Sequence, residues 1–160
     1  MARAGFYPVE SGRISFRRDG HWYSDAERID NPRIALLFSR SLRRAPDGSY
    51  RLQIGDEQAA VTIEDTPYVV TAVDTSAGDK VMVTLNDGNS EELAYHSLTV
   101  GADNALYGAV KQGQFEALFL RSAYYHLSPL FVEESTGGFA LRLKGRTYPI
   151  RPRSVTPPSS

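Results

Sequence analysis

Three histidines, the carboxylate pairs Glu64-Asp65 and Glu91-Glu92, and one aromatic–basic cluster are groups in this 160-residue chain that could do chemistry. His21, His96 and His126 stand 75 and 30 residues apart, with no HxH or HxxxH pair. Metal sites draw on closely spaced imidazoles and carboxylates held by one rigid element, so the histidines read as solvent or packing residues and no metal is expected. Glu64-Asp65 is the more informative pair. Side by side at a strand end, two carboxylates could act as acid and base, or hold a cation through oxygen. Consecutive strand residues point to opposite faces, however, so one face would receive only one of them. The plainer reading has Asp65 accepting from N–H groups of its turn while Glu64 meets an arginine. Glu91-Glu92 reads as a solvated edge. No GxSxG elbow, Walker loop or GxGxxG is present, and no cofactor is expected.

Trp22-Tyr23 beside Arg17, Arg18 and Arg33 could form a surface that stacks bases and holds phosphates. A single tryptophan in a hairpin packed under a helix is more often core, and the aromatic–basic interleaving does not continue into the next strands. The charge is segregated: residues 1–53 carry +4, residues 54–110 carry −9 and residues 111–160 carry +4. An acidic middle of that size repels a polyanion, which counts against nucleic acid as the ligand. Tyr124-Tyr125 on a predicted helix straddles two faces, so one ring is expected to be exposed as a partner or dimer contact. The candidate ligand or interaction residues are therefore Trp22, Tyr23, Arg33, Glu64, Asp65, Tyr68 and Tyr124, with no catalytic residue and no metal ligand assigned.

The elements that must position these groups are legible from turn chemistry and periodicity. The stretch from Phe16 to Tyr50 organises the chain. Asp19-Gly20 predicts a hairpin, because glycine accepts the positive φ of a tight turn. Asn31-Pro32 predicts a capped helix start. Ile34, Leu37, Phe38 and Leu42 then fall on one apolar stripe, and Arg43 and Arg44 suit the helix C-terminus. Pro46-Asp47-Gly48 turns into a strand through Tyr50, Leu52 and Ile54. Strands follow at Ala59–Ile63, Tyr68–Val73, Val81–Leu85 and Leu93–Tyr95, with shorter ones at 98–100 and 106–110, spaced like an antiparallel meander. A second helix is predicted from Gln114 to about Leu127, and a last hairpin pairs Phe139–Leu143 with Thr147–Ile150.

Composition places the chain among ordinary globular proteins, 41% hydrophobic and 23% charged. The absence of cysteine excludes disulfides, thiolate metal sites and cysteine nucleophiles. The N-terminal MARAGFYPVESGR has no signal-peptide shape, and no run of eighteen apolar residues could span a membrane, so a cytoplasmic setting is expected. The domain reading has a flexible N-terminus over 1–12, half-domains over 13–66 and 67–150, and a disordered proline- and serine-rich tail over 151–160.

Three blocks resemble an uncharacterised bacterial domain family, domain of unknown function 1285. The first holds Asp19-Gly20, Trp22-Tyr23, Ile29, Leu37-Phe38, Leu42, Asp47-Gly48 and Tyr50-Arg51-Leu52. The second is Val61 to Val69, with its acidic pair before Pro67-Tyr68. The third is Gly113, Ala117-Leu118, Arg121, Tyr125 and Leu127. The likeness runs from about residue 13 to 150, with departures at Gly55-Asp56-Glu57 and Ala123. It implies an α+β fold of two packed halves and carries over no activity. The expected architecture is a hairpin–helix–strand N-terminal half packed on an antiparallel β meander with a second helix and a C-terminal hairpin. The expected function is a non-catalytic binding or regulatory module, with a homodimer or a protein partner. The alternative is a small-molecule enzyme using Glu64 or Asp65 as acid/base carboxylate in a cleft between the halves.

Overall fold

Turn residues lay out the first part of the chain. The computed structural model describes residues 13–154, so the N-terminus over 1–12 and the tail beyond 154 lie outside the described residues. Arg17 to Gly20 joins β1 (Ile14–Phe16) to β2 (Trp22–Ser24). Gly20 sits at φ 83°, a left-handed conformation that costs glycine little, and its N–H donates to the Arg17 carbonyl at 2.9 Å. A short β3 (Glu27–Arg28) precedes α1 (Pro32–Ser41). The Asn31 side chain caps that helix by accepting from the Arg33 N–H at 2.9 Å, with Pro32 at its first position.

The helix ends earlier than its apolar stripe suggested. Phe38 is buried, but Leu37 is 45% exposed, and Ser39 and Ser41 take the buried face instead. Leu42 opens β4 (Leu42–Arg44), which pairs antiparallel with β5 (Tyr50–Ile54). Burying Leu42 opposite Leu52 outweighs one more helical turn, and the Ser41 hydroxyl ties off the last turn by donating to the Leu37 carbonyl at 2.6 Å. β6 (Glu57–Ile63) pairs antiparallel with β5 and parallel with β1. The sheet order is β3-β2-β1-β6-β5-β4. At its centre Trp22 is 1% exposed, 4.9 Å from the Phe16 ring and edge-on to Phe38 at 5.6 Å. Its Nε1 donates to Ser39 Oγ at 2.9 Å, and the same oxygen accepts from Asn86 Nδ2 at 2.8 Å.

The chain divides into two compact units. One comprises the residues up to Tyr68 together with Asn86–Gly88, and the other comprises Val69–Leu85 and the residues from Asn89. The second unit is built on β7 (Tyr68–Asp74), β8 (Met82–Leu85), β9 (Ser90–Glu92), β10 (Thr99–Val100), β11 (Leu106–Val110) and β12 (Phe115–Phe119). It continues through α2 (Arg121–Leu127), β13 (Phe131–Glu133), β14 (Phe139–Leu143) and β15 (Arg146–Pro152). Its strand order is β13-β14-β15-β10-β11-β12-β7-β8-β9. The fold class is mixed α+β, as the sequence reading has it.

Two expectations are corrected here. The second helix does not begin at Gln114: Phe115–Phe119 is β12, paired with β11 from Val110↔Phe115 to Tyr107↔Leu118. Ala117, Leu118 and Phe119 are buried in succession, as a strand with neighbours on both edges requires, whereas the i, i+3, i+4 spacing imitated a helix. Within these antiparallel-rich sheets, β10 runs parallel to β15 and β1 parallel to β6. The tail, finally, is not disordered from Arg151. Thr99↔Arg151 and Val100↔Pro152 are register partners, and the Arg153 N–H donates to the Val100 carbonyl at 2.8 Å. The Arg153 guanidinium forks onto Glu116 at 2.7 and 3.0 Å and lies 3.8 Å over the Tyr107 ring.

Candidate anion site

The residues singled out from sequence lie in several places. Trp22 is in the core already described. Tyr23 follows it on β2, with the Arg17 guanidinium 3.9 Å over its ring and its hydroxyl donating to the Asp19 carboxylate. That bond holds the Tyr23 hydroxyl above its ordinary pKa. Burial pushes the Asp19 carboxyl up, but the Tyr23 hydroxyl and the His21 N–H outweigh it and leave the group lowered. Glu64 accepts from the Arg18 N–H at 2.8 Å, and Asp65 accepts from Arg18 Nε at 3.0 Å. The structure thus gathers Tyr23, Glu64 and Asp65 around the β1–β2 turn, where both carboxylates are engaged by one arginine. Arg33 stands exposed in the first turn of α1, and Tyr124 lies on α2, edge-on to Phe131 at 5.8 Å.

Tyr68 leads elsewhere. It is 4% exposed, and burial first, then the carboxylate of the 2%-exposed Asp87, push its hydroxyl up to about 12. Arg43 and Arg44 act on it in the opposite sense. Those two arginines belong to β4, and they open onto a cluster that sequence reasoning passed over.

The cluster follows from the register of one hairpin. Asp47 Oδ1 accepts from the Ser49 N–H at 2.9 Å and from the Ser49 hydroxyl at 2.6 Å; these bonds hold the Asp47 carboxyl below its ordinary pKa. Gly48, at φ 88°, closes the turn by donating to the Ala45 carbonyl at 2.9 Å. With the turn fixed, Leu42 faces Leu52, Arg43 faces Arg51 and Arg44 faces Tyr50. On the next strand Gln53 faces Gln58. Alternation sends Leu42, Leu52 and Ala59 into the core and puts Arg43, Arg51, Gln53 and Gln58 on the outer face. Arg43, Arg44, Arg51, Asp47, Gln53 and Gln58 line an open depression of about 450 Å³.

Like charges directly opposite on neighbouring strands destabilise a sheet, so the Arg43↔Arg51 pair works against the fold. Among the described residues, Arg43 donates to the Arg40 and Leu42 carbonyls at 3.1 and 2.8 Å and Arg51 reaches Gln58 Oε1 at 3.4 Å, while the Arg51 charge also helps hold the Asp47 carboxyl down. The Arg44 guanidinium lies 5.6 Å over the Tyr50 ring. Three arginines and one aspartate contribute to the lining of the depression. Guanidinium forks match the oxygens of carboxylates and phosphates, so the chemistry on offer is anion binding. A signal for it exists in the sequence. Leu42-Arg43-Arg44 and Tyr50-Arg51-Leu52 flank the Pro46-Asp47-Gly48 turn symmetrically, and folding them as a hairpin sets Arg43 against Arg51.

Among the described residues no three His, Asp or Glu side chains are grouped so as to hold a metal ion. No described helix is long and apolar enough to cross a membrane.

No protein-family model matches the chain, and no curated protein matches it. Solved structures do. A DUF1285 family protein from Silicibacter pomeroyi DSS-3 superposes with a TM-score of 0.68 at 23% identity, over 89% of this chain and 82% of that one. A DUF1285 family protein from Shewanella baltica OS155 gives a TM-score of 0.57 at 18% identity, over 73% of this chain and 91% of that one. At these identities the likeness is one of fold, and the chain shares the fold of DUF1285 family proteins.

Proposed function

We propose that this chain is a non-catalytic binding module whose ligand is an anion seated over Arg43 and Arg51. The observation that carries the reading is the Arg43↔Arg51 register pair, a like-charge juxtaposition that costs stability and lines an open depression. Features that oppose folding persist where a ligand needs them. The enzyme reading, with Glu64 or Asp65 as acid or base, draws less support, because both carboxylates already hold Arg18. A cytoplasmic setting and self-association belong to this proposal as expectations from sequence.

Calorimetric titration of the full chain with inorganic phosphate tests it. Saturable binding is expected, weakened about tenfold or more in Arg51→Gln, since a hydrogen bond to a charged group contributes about 1.5–3 kcal/mol. Saturable binding of equal strength in the Arg51→Gln and Arg43→Gln variants would place the anion elsewhere and overturn the reading.

A further inference from the structure

We infer that the ligand of the β4–β5–β6 depression is an acidic α-amino acid, with two carboxylates and one ammonium on a short skeleton, an inference that rests on the anion-binding reading above. The donors come first. Arg43 and Arg51 face each other across the ladder. Two residues on, the Ala45 N–H donates to the Ser49 carbonyl at 2.7 Å, which makes Arg43↔Arg51 a hydrogen-bonded pair as well, with Cα atoms about 5.5 Å apart. Both side chains leave the outer face of the sheet. Arg44 is not counted with them, because alternation turns it to the other face, where it donates to the Tyr50 hydroxyl at 3.3 Å.

Arg43 spends Nη1 on the Arg40 and Leu42 carbonyls, which leaves its Nε and Nη2 as a fork. Arg51 spends only Nη1, on the long contact to Gln58. Each guanidinium fork matches one carboxylate, whose two oxygens lie in one plane. Two opposed forks thus suit two carboxylates, whereas a monocarboxylate leaves one arginine facing its like-charged neighbour.

The rest of the lining calls for a positive group on the same ligand. Asp47 stands in the depression, and its Oδ1 is engaged by the Ser49 N–H and hydroxyl, which leaves Oδ2 to accept. A purely anionic ligand would lie beside that carboxylate and be repelled by it. An ammonium next to the carboxylates turns the repulsion into a charge-assisted hydrogen bond. The amides agree with a ligand of both signs. Gln53 spends Nε2 on the Gly55 carbonyl at 2.6 Å and keeps Oε1 as an acceptor, while Gln58 spends Oε1 on Arg51 and keeps Nε2 as a donor. A volume of about 450 Å³ lies within the roughly 300–1,000 Å³ typical of small-molecule sites.

The test is a calorimetric series on the full chain at fixed ionic strength, with thermal melts to establish that each variant is folded. The probes are L-glutamate, glutarate (which lacks the ammonium), L-glutamine (which lacks the second carboxylate), inorganic phosphate, and a short glutamate-rich peptide with a blocked N-terminus. L-Glutamate is expected to bind at least about tenfold more tightly than either glutarate or L-glutamine, since each of those lacks one charged hydrogen-bonding group. Asp47→Asn keeps Oδ1 for Ser49 and removes only the charge. It is expected to weaken L-glutamate about tenfold while glutarate binds no less tightly. Glutarate binding as tightly as L-glutamate, an Asp47→Asn variant that keeps the preference, or saturable binding of phosphate without binding of L-glutamate would overturn the amino acid and leave an anion site in place. No saturable binding of any probe would overturn both. The peptide binding about tenfold more tightly than L-glutamate would reassign the site to an acidic protein segment.

Discussion

Replacing Arg51 by glutamine should stabilise the protein and weaken its ligand binding at once. Arg51 faces Arg43 across the β4–β5 ladder, and its guanidinium reaches Gln58 Oε1 at 3.4 Å, long for a hydrogen bond. Removing the charge therefore gives up little contact and relieves a direct repulsion. Cross-strand charge pairs are worth about 0.2–1 kcal/mol, so Arg51→Gln should gain up to about 1 kcal/mol without ligand. In a chain of this size that raises Tm by up to about 4 °C. Salt supplies the internal control. Repulsion between exposed charges is felt over about 30 Å at 0.01 M ionic strength but only about 10 Å at 0.1 M. The parent protein should gain more from that change than the variant does. Thermal melts of both proteins at the two salt concentrations, with no multivalent anion in the buffer, make the measurement. A loss of more than about 1 kcal/mol in the variant, or an identical salt response, would show Arg51 to be a structural residue and remove the tension on which the functional reading stands.

Three further outcomes follow from the packing. Ser39→Ala removes the acceptor shared by Trp22 Nε1 and Asn86 Nδ2, and should cost about 1–3 kcal/mol in urea melts; a cost below about 0.5 kcal/mol would mean that both donors find other partners. Arg153→Ala breaks a forked ion pair to Glu116 and the contact with the Tyr107 ring, and should lower Tm by about 2–4 °C, whereas an unchanged Tm would mean that these contacts hold nothing. Tyr68, raised to about 12 from an ordinary value of 10.0, binds its proton more tightly folded than unfolded. Its contribution is thus complete below pH 10 and is lost as pH rises toward 12, at about 1.4 kcal/mol per unit. Urea melts at pH 8 and pH 11 should show a smaller alkaline loss in Tyr68→Phe than in the parent, and equal losses would refute the assignment.

Much of the fold was legible where local chemistry leaves one solution. The Asn31-Pro32 cap, the Asp19-Gly20 hairpin and the Tyr68–Asp74 strand each follow from residues adjacent in sequence. What was illegible depended on distant partners. Phe115, Leu118 and Phe119 have helical spacing, and only the long ladder to β11 makes them a strand. The parallel pairing of β10 with β15 joins residues about fifty positions apart, which no local pattern encodes. Arg43 and Arg44 read as helix-terminal charges because Leu42 continued the apolar stripe of α1. Its pairing with Leu52 turned the segment into a strand, and with it the two arginines. The depression was missed by that one boundary, although the symmetry about Pro46-Asp47-Gly48 held the clue. Glu64 and Asp65 illustrate the opposite lesson: the sequence marked them for chemistry, and Arg18 occupies both.

The most direct measurement of the central claim is an NMR titration that follows the arginine Nε–H resonances as inorganic phosphate is added to the full chain. The account predicts saturable shifts at Arg43 and Arg51 that share one dissociation constant. Arg18, held by Asp65, and Arg28, held by Asp30, should stay still. Shifts that grow linearly without saturating, or that saturate at Arg17, Arg18 and Arg33 instead, would contradict it.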